Sequence, residues 1–166
     1  MVASNLSIAR VGPDSEVLLR NLFEHYIHDM SEWLQLDTEP DGSYSYDTSK
    51  LWTRGFEVYL AKAGESIAGF AVVGPADDWL GEIGAHDVHE FFVLRRFRRT
   101  GAGRRLAGYV WNQHSGAWLV RVYEGNRPAV PFWRSAIASY TNGAFREELR
   151  TVKDKDWRFF QFGGAT

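Results

Sequence analysis

Residues 91–107 read Phe91-Phe92-Val93-Leu94-Arg95-Arg96-Phe97-Arg98-Arg99-Thr100-Gly101-Ala102-Gly103-Arg104-Arg105-Leu106-Ala107, and they constrain this chain more than any other stretch. The run opens apolar and aromatic, the composition of a buried strand. It turns through Gly-x-Gly and continues with Leu106, Ala107, Val110, Trp111 and His114 three and four apart, which places them on one helix face. A strand that feeds a glycine loop at a helix N-terminus forms an anion site, because the first backbone N–H groups of a helix have no intrahelical acceptor. Six of the seventeen residues are arginine, so positive charge gathers at the same place.

Around this stretch the pattern predicts β-α-β-β-β-α-β-α-β-β. Leu6 to Val11 reads as a strand. Pro13-Asp14-Ser15-Glu16 opens a helix, with a capping oxygen and acids that suit the dipole, and Leu19, Leu22, Phe23, Tyr26, Ile27 and Met30 form its apolar stripe. Residues 31–49 break the pattern into a long loop, with Pro40-Asp41-Gly42 at its centre. Glu57 to Ala63 and Ser66 to Gly74 read as a hairpin, Gly74 to Ala85 as a loop, and His86 to Leu94 as the strand of the opening stretch. Ala117 to Tyr123 is a further strand. A third helix starts at Gly125-Asn126-Arg127-Pro128 and carries Ala129, Phe132, Trp133, Ala136, Ile137 and Tyr140; Ala144 to Thr151 and Trp157 to Phe162 close the chain as a strand pair. This order is that of an α+β (mixed α/β) fold, and with no repeat or linker in 166 residues it predicts a single domain over 1–166.

The composition, 45% apolar and 24% charged, is that of an ordinary soluble globule. No run of about 18 uncharged apolar residues is present, so no membrane span is expected. No signal peptide is visible, and a cytoplasmic location is the expectation. Zero cysteines exclude disulfides, thiolate metal sites and a cysteine nucleophile, and no metal is expected. Residues 1–92 hold 5 Lys/Arg against 16 Asp/Glu, a net of −11, whereas residues 93–166 hold 14 against 5, a net of +9. Either two halves of one domain attract each other, or the second half holds an anionic ligand while the first faces a cation. The two readings are compatible.

Three anion-binding loops compete for the glycine stretch. A Walker A loop needs Gly-x4-Gly-Lys-Ser/Thr, and that string is absent. A dinucleotide fingerprint needs a third glycine where Leu106 stands, and an N-terminal βαβ context that is missing. The third pattern, Arg/Gln-x-x-Gly-x-Gly/Ala, is met by Arg98-Arg99-Thr100-Gly101-Ala102-Gly103. With Val93 and Phe97 before it and Asn126-x-x-Ala129-x-x-Phe132-Trp133 after the next strand, the chain resembles the GNAT superfamily of acyl-CoA-dependent N-acetyltransferases over nearly its whole length. Tyr26 to Glu32 and Phe91 to Leu94 also look like a branch of that superfamily that names no substrate.

The resemblance implies a central, mostly antiparallel and partly splayed sheet of roughly six to seven strands with about four helices. It implies acetyl-CoA or another acyl-CoA as co-substrate, its pyrophosphate against the backbone of Arg98, Arg99, Thr100, Gly101, Ala102, Gly103 and Arg104, with Asn126, Ala129 and Phe132 beside it. Phe92, Val93 and Leu94 stand where a backbone N–H of the family's strand polarises the thioester carbonyl. Direct transfer to an amine then needs a base. Glu90 is the first candidate, with His86 and His89 behind it, and the alternative for Glu90 is a surface carboxylate on the strand's edge. The family often has a tyrosine acid where this chain has Trp133, and indole supplies no proton. Tyr123 or Tyr140 are the substitutes, while Trp133 itself reads as core.

An acceptor site is expected from the first helix and the following loop. Asp29, Glu32, Asp37, Glu39 and Asp41 mix there with Tyr26, Trp33, Tyr44 and Tyr46, a combination that suits a cationic amine of a small molecule or peptide, or is an ordinary solvated acidic face. Tyr26, Asp29, Glu32, Trp33 and Tyr46 are the candidate substrate residues. Two other functions compete: a non-catalytic acyl-CoA sensor, which Trp133 keeps open, and a nucleic-acid binder that uses the arginine-rich loop, which the pI of 6.2 disfavours. Dimers are common in the superfamily, so a homodimer is a further expectation.

Overall fold

The structure is a computed structural model and describes residues 5–53, 55–80 and 84–164. Seven strands form one sheet in the order β1-β2-β3-β4-β5-β7-β6. They are β1 (Leu6–Val11), β2 (Glu57–Ala63), β3 (Ser66–Pro75), β4 (His86–Val93), β5 (Ala117–Tyr123), β6 (Phe145–Val152) and β7 (Lys155–Gly163). All neighbours are antiparallel except β4 and β5. The helices are α1 (Glu16–Leu34), the short α2 (Asp77–Leu80), α3 (Ala102–Asn112) and α4 (Ala129–Thr141). The mixed, mostly antiparallel sheet with four helices is the fold class expected above.

Each face of the sheet buries its own core. α3 and α4 cover one face, where Leu106, Ala107, Val110 and Trp111 of α3 and Trp133, Ala136 and Ile137 of α4 meet Ala71, Val73, Val120 and Val122. α1 covers the other, where its stripe Leu19, Leu22, Phe23 and Ile27 packs on Val58, Leu60, Phe70, Val72 and Phe92. α1 runs four residues beyond the apolar stripe and ends at Gln35, whose φ of 53° is left-handed. α4 stops at Asn142, also left-handed, where the Gly143 N–H bonds back to Ala138 O at 2.9 Å, a C-terminal cap. The predicted loop 74–85 holds α2, and its residues 81–83 lie outside the described residues.

One irregularity positions everything that follows. β3 and β4 pair as Val72↔Glu90 and Val73↔Val88, which leaves His89 as an extra residue. Such a bulge re-aims the side chains beyond it. Val88 therefore packs in the α3/α4 core, while Glu90 shares the α1 face with Phe92 even though residues two apart in a regular strand lie on the same face.

Candidate active site

β4 and β5 pair over only His86↔Trp118, Asp87↔Leu119 and Val88↔Val120. After that β4 stays with β3 as far as Gly69↔Val93, and β5 stays with β7 as far as Tyr123↔Trp157. The two strands part, and the gap opens a cleft of about 1240 Å³ that continues to the start of α3 and α4. The Leu94 N–H donates to Ala68 O of the neighbouring chain segment at 2.9 Å. Because backbone groups alternate sides along a strand, the amide of Phe92 also faces β3, whereas those of Phe91 and Val93 face the gap. Leu94 is thus removed as a thioester-polarising donor, because its N–H is already used inside the sheet and its side chain does not line the cleft.

At the far end lies the glycine loop. Arg99 and Gly101 have φ of 61° and 88°, so the chain turns sharply before α3. Gly103 allows close packing: a Cβ there would sit 3.1 Å from the Phe132 ring and 3.5 Å from Val93 Cγ2. Among the described residues, the backbone N–H groups of residues 99–104 donate to no protein acceptor; the first amide with one is Arg105, bonded to Gly101 O at 3.1 Å. That is an anion cradle with the helix dipole behind it. Thr100 closes the loop through its hydroxyl, 2.6 Å from Phe97 O, and the Ala102 side chain is buried, so both offer the cradle their amides alone. Arg99, Arg104, Asn126, Ala129 and Phe132 line the cleft; the Asn126 amide contacts Met30 Sδ at 3.6 Å, and Arg104 Nη2 donates to Ser135 Oγ at 2.9 Å.

Arg98 is already engaged. Its Nε donates to Val93 O at 2.8 Å and its Nη2 to Asp29, while Arg95 takes the other Asp29 oxygen at 2.7 Å. This ties the end of β4 to α1. Burial works to raise the Asp29 pKa, but the hydrogen bonds from Arg98 and Arg95 outweigh it and hold the carboxyl below its ordinary value. Asp29 lines the cleft as a neutralised partner and not as a free acid.

Glu90 occupies the edge of the gap on the α1 face. Its Oε1 accepts from the Tyr46 hydroxyl at 3.1 Å, and Tyr26 of α1 lies against the same carboxylate. Burial, the largest influence, raises the Glu90 pKa; hydrogen bonds from Tyr26 and Tyr46 and the charges of His89 and Arg121 oppose it without cancelling it. Burial and then the charge of Glu90 push both tyrosine hydroxyls upward, so they remain protonated donors. Tyr46 reaches this position from the loop after α1 by stacking on Phe23 at 4.3 Å.

Tyr140 is corrected. It is 41% exposed, its hydroxyl donates to Asn112 at 2.9 Å, and it packs on Trp111 outside the cleft, because its place on α4 faces α3. Trp133 is only 6% exposed, packs against Phe91, Phe132 and Trp111, and belongs to the cleft wall. Glu32 and Trp33 line the cleft, whereas Asp37, Glu39 and Asp41 do not. His86 contacts Ser115 O and His114 away from it. The sequence reading missed Arg121 and Trp157, which line the cleft together with Tyr123. A charge inside the apolar strand Ala117–Tyr123 was the available signal for Arg121. No group of three or more potential metal ligands occurs among the described residues, and no helix there is long and apolar enough to cross a membrane.

The fold is similar to that of an acetyltransferase from Thermus thermophilus, with a TM-score of 0.70 and 14% identity over 98% of this chain and 99% of that one. It is also similar to a Salmonella typhimurium protein solved with its cofactor acetyl-CoA, at TM-score 0.67 and 13% identity over 98% and 95% of the two chains. A spermidine N-acetyltransferase from Vibrio cholerae, in complex with CoA and spermine, matches at TM-score 0.66 and 12% identity over 96% and 95%. No curated protein sequence matches the chain. The sequence model of the Acetyltransferase (GNAT) family matches residues 27–136, which include the splayed strand, the amide cradle and most of α4. The chain therefore belongs to the GNAT acetyltransferase family.

Proposed function

We propose that the protein, as one domain over residues 1–166 and in the cytoplasm, transfers an acetyl group from acetyl-CoA directly to a primary amine of a small molecule or peptide. The observation that carries this reading is a carboxylate of raised pKa at the edge of the β4–β5 gap, held by Tyr26 and Tyr46, where the Phe91 and Val93 amides face the gap. The acceptor-free amides of residues 99–104 and the close approach that Gly103 permits suit a pyrophosphate.

Acetyl-CoA supplies an acyl thioester, so the amine nitrogen forms a bond to the acyl carbon while the carbon–sulfur bond breaks and its electron pair leaves with sulfur. The Val93 N–H donates to the carbonyl oxygen as negative charge grows there; losing one such donor typically costs on the order of a hundredfold in rate. Glu90 takes the proton that the ammonium nitrogen must shed, and a carboxylate that burial makes more basic than an ordinary one suits that task. The departing thiolate needs no protein acid, since a thiol pKa of about 8.5 makes it a tolerable leaving group. The sheet offers a different face to each partner. Phe91, Val93 and Phe132 shape the α3/α4 side of the gap for the acyl donor, and Tyr26, Glu90 and Phe92 shape the α1 side for the acceptor.

An amine panel incubated with acetyl-CoA, with free CoA thiol as readout, tests this. Thiol release that depends on an amine and drops strongly in Glu90→Gln is the expected result. CoA binding without thiol release from any amine would replace the reading with that of an acyl-CoA sensor.

A further inference from the structure

The α1-side mouth of the gap contains a cation that the transfer chemistry does not use. β5 alternates, with Val120 and Val122 buried under α3 and α4, so Arg121 and Tyr123 project to the opposite face, the one that holds Glu90. The Arg121 side chain is 18% exposed and paired with Asp87. Its Nε and Nη2 both donate to Oδ2 of Asp87, which is fully buried, and its guanidinium carbon lies 4.5 Å above the Trp79 ring. Two of the five guanidinium N–H donors are used in this way. Among the described residues Nη1 donates to no protein group, and the side chain lines the cleft. The charge of Arg121 is felt by both Glu90 and Tyr26, so the cation and the carboxylate address the same small volume.

The acids of the first helix do not make this mouth a polycation site. Asp29 is neutralised by Arg95 and Arg98, and Asp37, Glu39 and Asp41 lie away from the cleft. Among the described residues, the charged groups lining the cleft comprise three acids and six arginines, so even with four of the arginines close to the phosphate cradle the described acceptor end is not acidic. An arginine anchored on one edge, with its other edge free, presents two parallel donors that match a carboxylate.

Building on the amine-transfer reading above, we infer that the acceptor is an amine that also carries a carboxylate, of the amino-acid class, with its nitrogen at Glu90 and its carboxylate on the free edge of Arg121. Anchoring at two points holds the nitrogen at the gap and sets selectivity against plain amines. Arg121 is a specificity residue in this arrangement, and Asp87 and Trp79 position it.

The test uses matched acceptors: phenylalanine against phenethylamine, tryptophan against tryptamine, and leucine against 3-methylbutylamine, each with acetyl-CoA and thiol detection. The expected result is that kcat/KM favours the carboxylated member by roughly tenfold to a hundredfold, the range of a charge-assisted hydrogen bond. Arg121→Met alone would leave Asp87 buried and unpaired, so the double variant Asp87→Asn/Arg121→Met removes both charges together, with CoA affinity reporting that it folds. In the double variant the preference ratio should collapse towards one, and in Arg121→Lys it should fall only in part. Turnover of plain amines at equal or higher kcat/KM overturns the carboxylate assignment while leaving amine transfer intact, as does a ratio unchanged in the double variant. No turnover with any amine, while CoA still binds, overturns both.

Discussion

The Tyr46 hydroxyl donates a 3.1 Å hydrogen bond to Oε1 of Glu90 across 44 residues of sequence, joining the loop after α1 to the strand that borders the gap. The bond favours the charged carboxylate, and burial outweighs it. Tyr46→Phe should therefore raise the Glu90 pKa further. The acid limb of the kcat/KM profile, which reports ionisation of the free enzyme's base, should move to higher pH, and Glu90→Gln should lose roughly 10²–10⁴-fold in kcat. A pH–rate series on the three proteins checks both; an acid limb that does not move in Tyr46→Phe removes Glu90 from the titration.

Glu90 also carries a stability signature. Its folded pKa lies above the ordinary 4.5, so the folded state binds more protons than the unfolded state between those two values. Stability associated with this group is fully present below the unfolded pKa and is lost as pH rises through the folded pKa. Glu90→Gln should consequently melt at higher temperature than the parent at neutral pH, and the difference should close below about pH 4. Paired thermal melts across that range are the measurement.

Asp29 has the opposite sign. Its pKa is held down in the folded protein, so its contribution is present above the unfolded value and disappears as pH falls through the folded value. Asp29→Asn frees Arg98 from α1 and loosens the end of β4, so KM for acetyl-CoA should rise on the order of tenfold, with a smaller effect on KM for the amine. Steady-state kinetics with each substrate varied in turn separates the two.

Gly103→Val should weaken CoA binding and stability together. Even a Cβ would meet Phe132 at 3.1 Å, and the branched side chain adds overpacking worth about 1–3 kcal/mol. Calorimetry with CoA and a urea melt measure the two effects. Retained affinity in Gly103→Val would show that the loop approaches its ligand less closely than this geometry requires.

Trp133 stands at the family's tyrosine position and is packed by Phe91 at 4.7 Å and Phe132 at 5.1 Å. Trp133→Ala should cost about 3–5 kcal/mol of stability, whereas Trp133→Phe should keep most of the turnover, since no proton passes through the indole. Denaturant midpoints and kcat on the same preparations decide the matter.

The elements were legible where side-chain period decides structure. The apolar stripe from Leu19 to Met30 specified α1, short runs rich in apolar and β-branched residues specified β1 and β5 to the residue, and Gly101 and Gly103 marked the amide cradle because only small residues let a backbone turn and come close. Other features depend on partners distant in sequence. Arg98 reads as a phosphate ligand in the sequence, but Asp29, 69 residues earlier, holds it. Tyr140 carries the right hydroxyl on the wrong side of α4, and Arg121 is a stray charge in its strand until Asp87 and Trp79 aim it.

The amino-acid sequence by itself determined the order of the seven strands and the three long helices, the glycine loop and the family, because these rest on local periodicity and on short backbone-shaping motifs. The tertiary structure alone decided where β4 and β5 part, which face Glu90 takes, and which arginines are free. A bulge at His89 and a pairing that ends at Val88↔Val120 leave no compositional trace, since strand register is set by what the neighbouring strand offers and not by the residues of one strand.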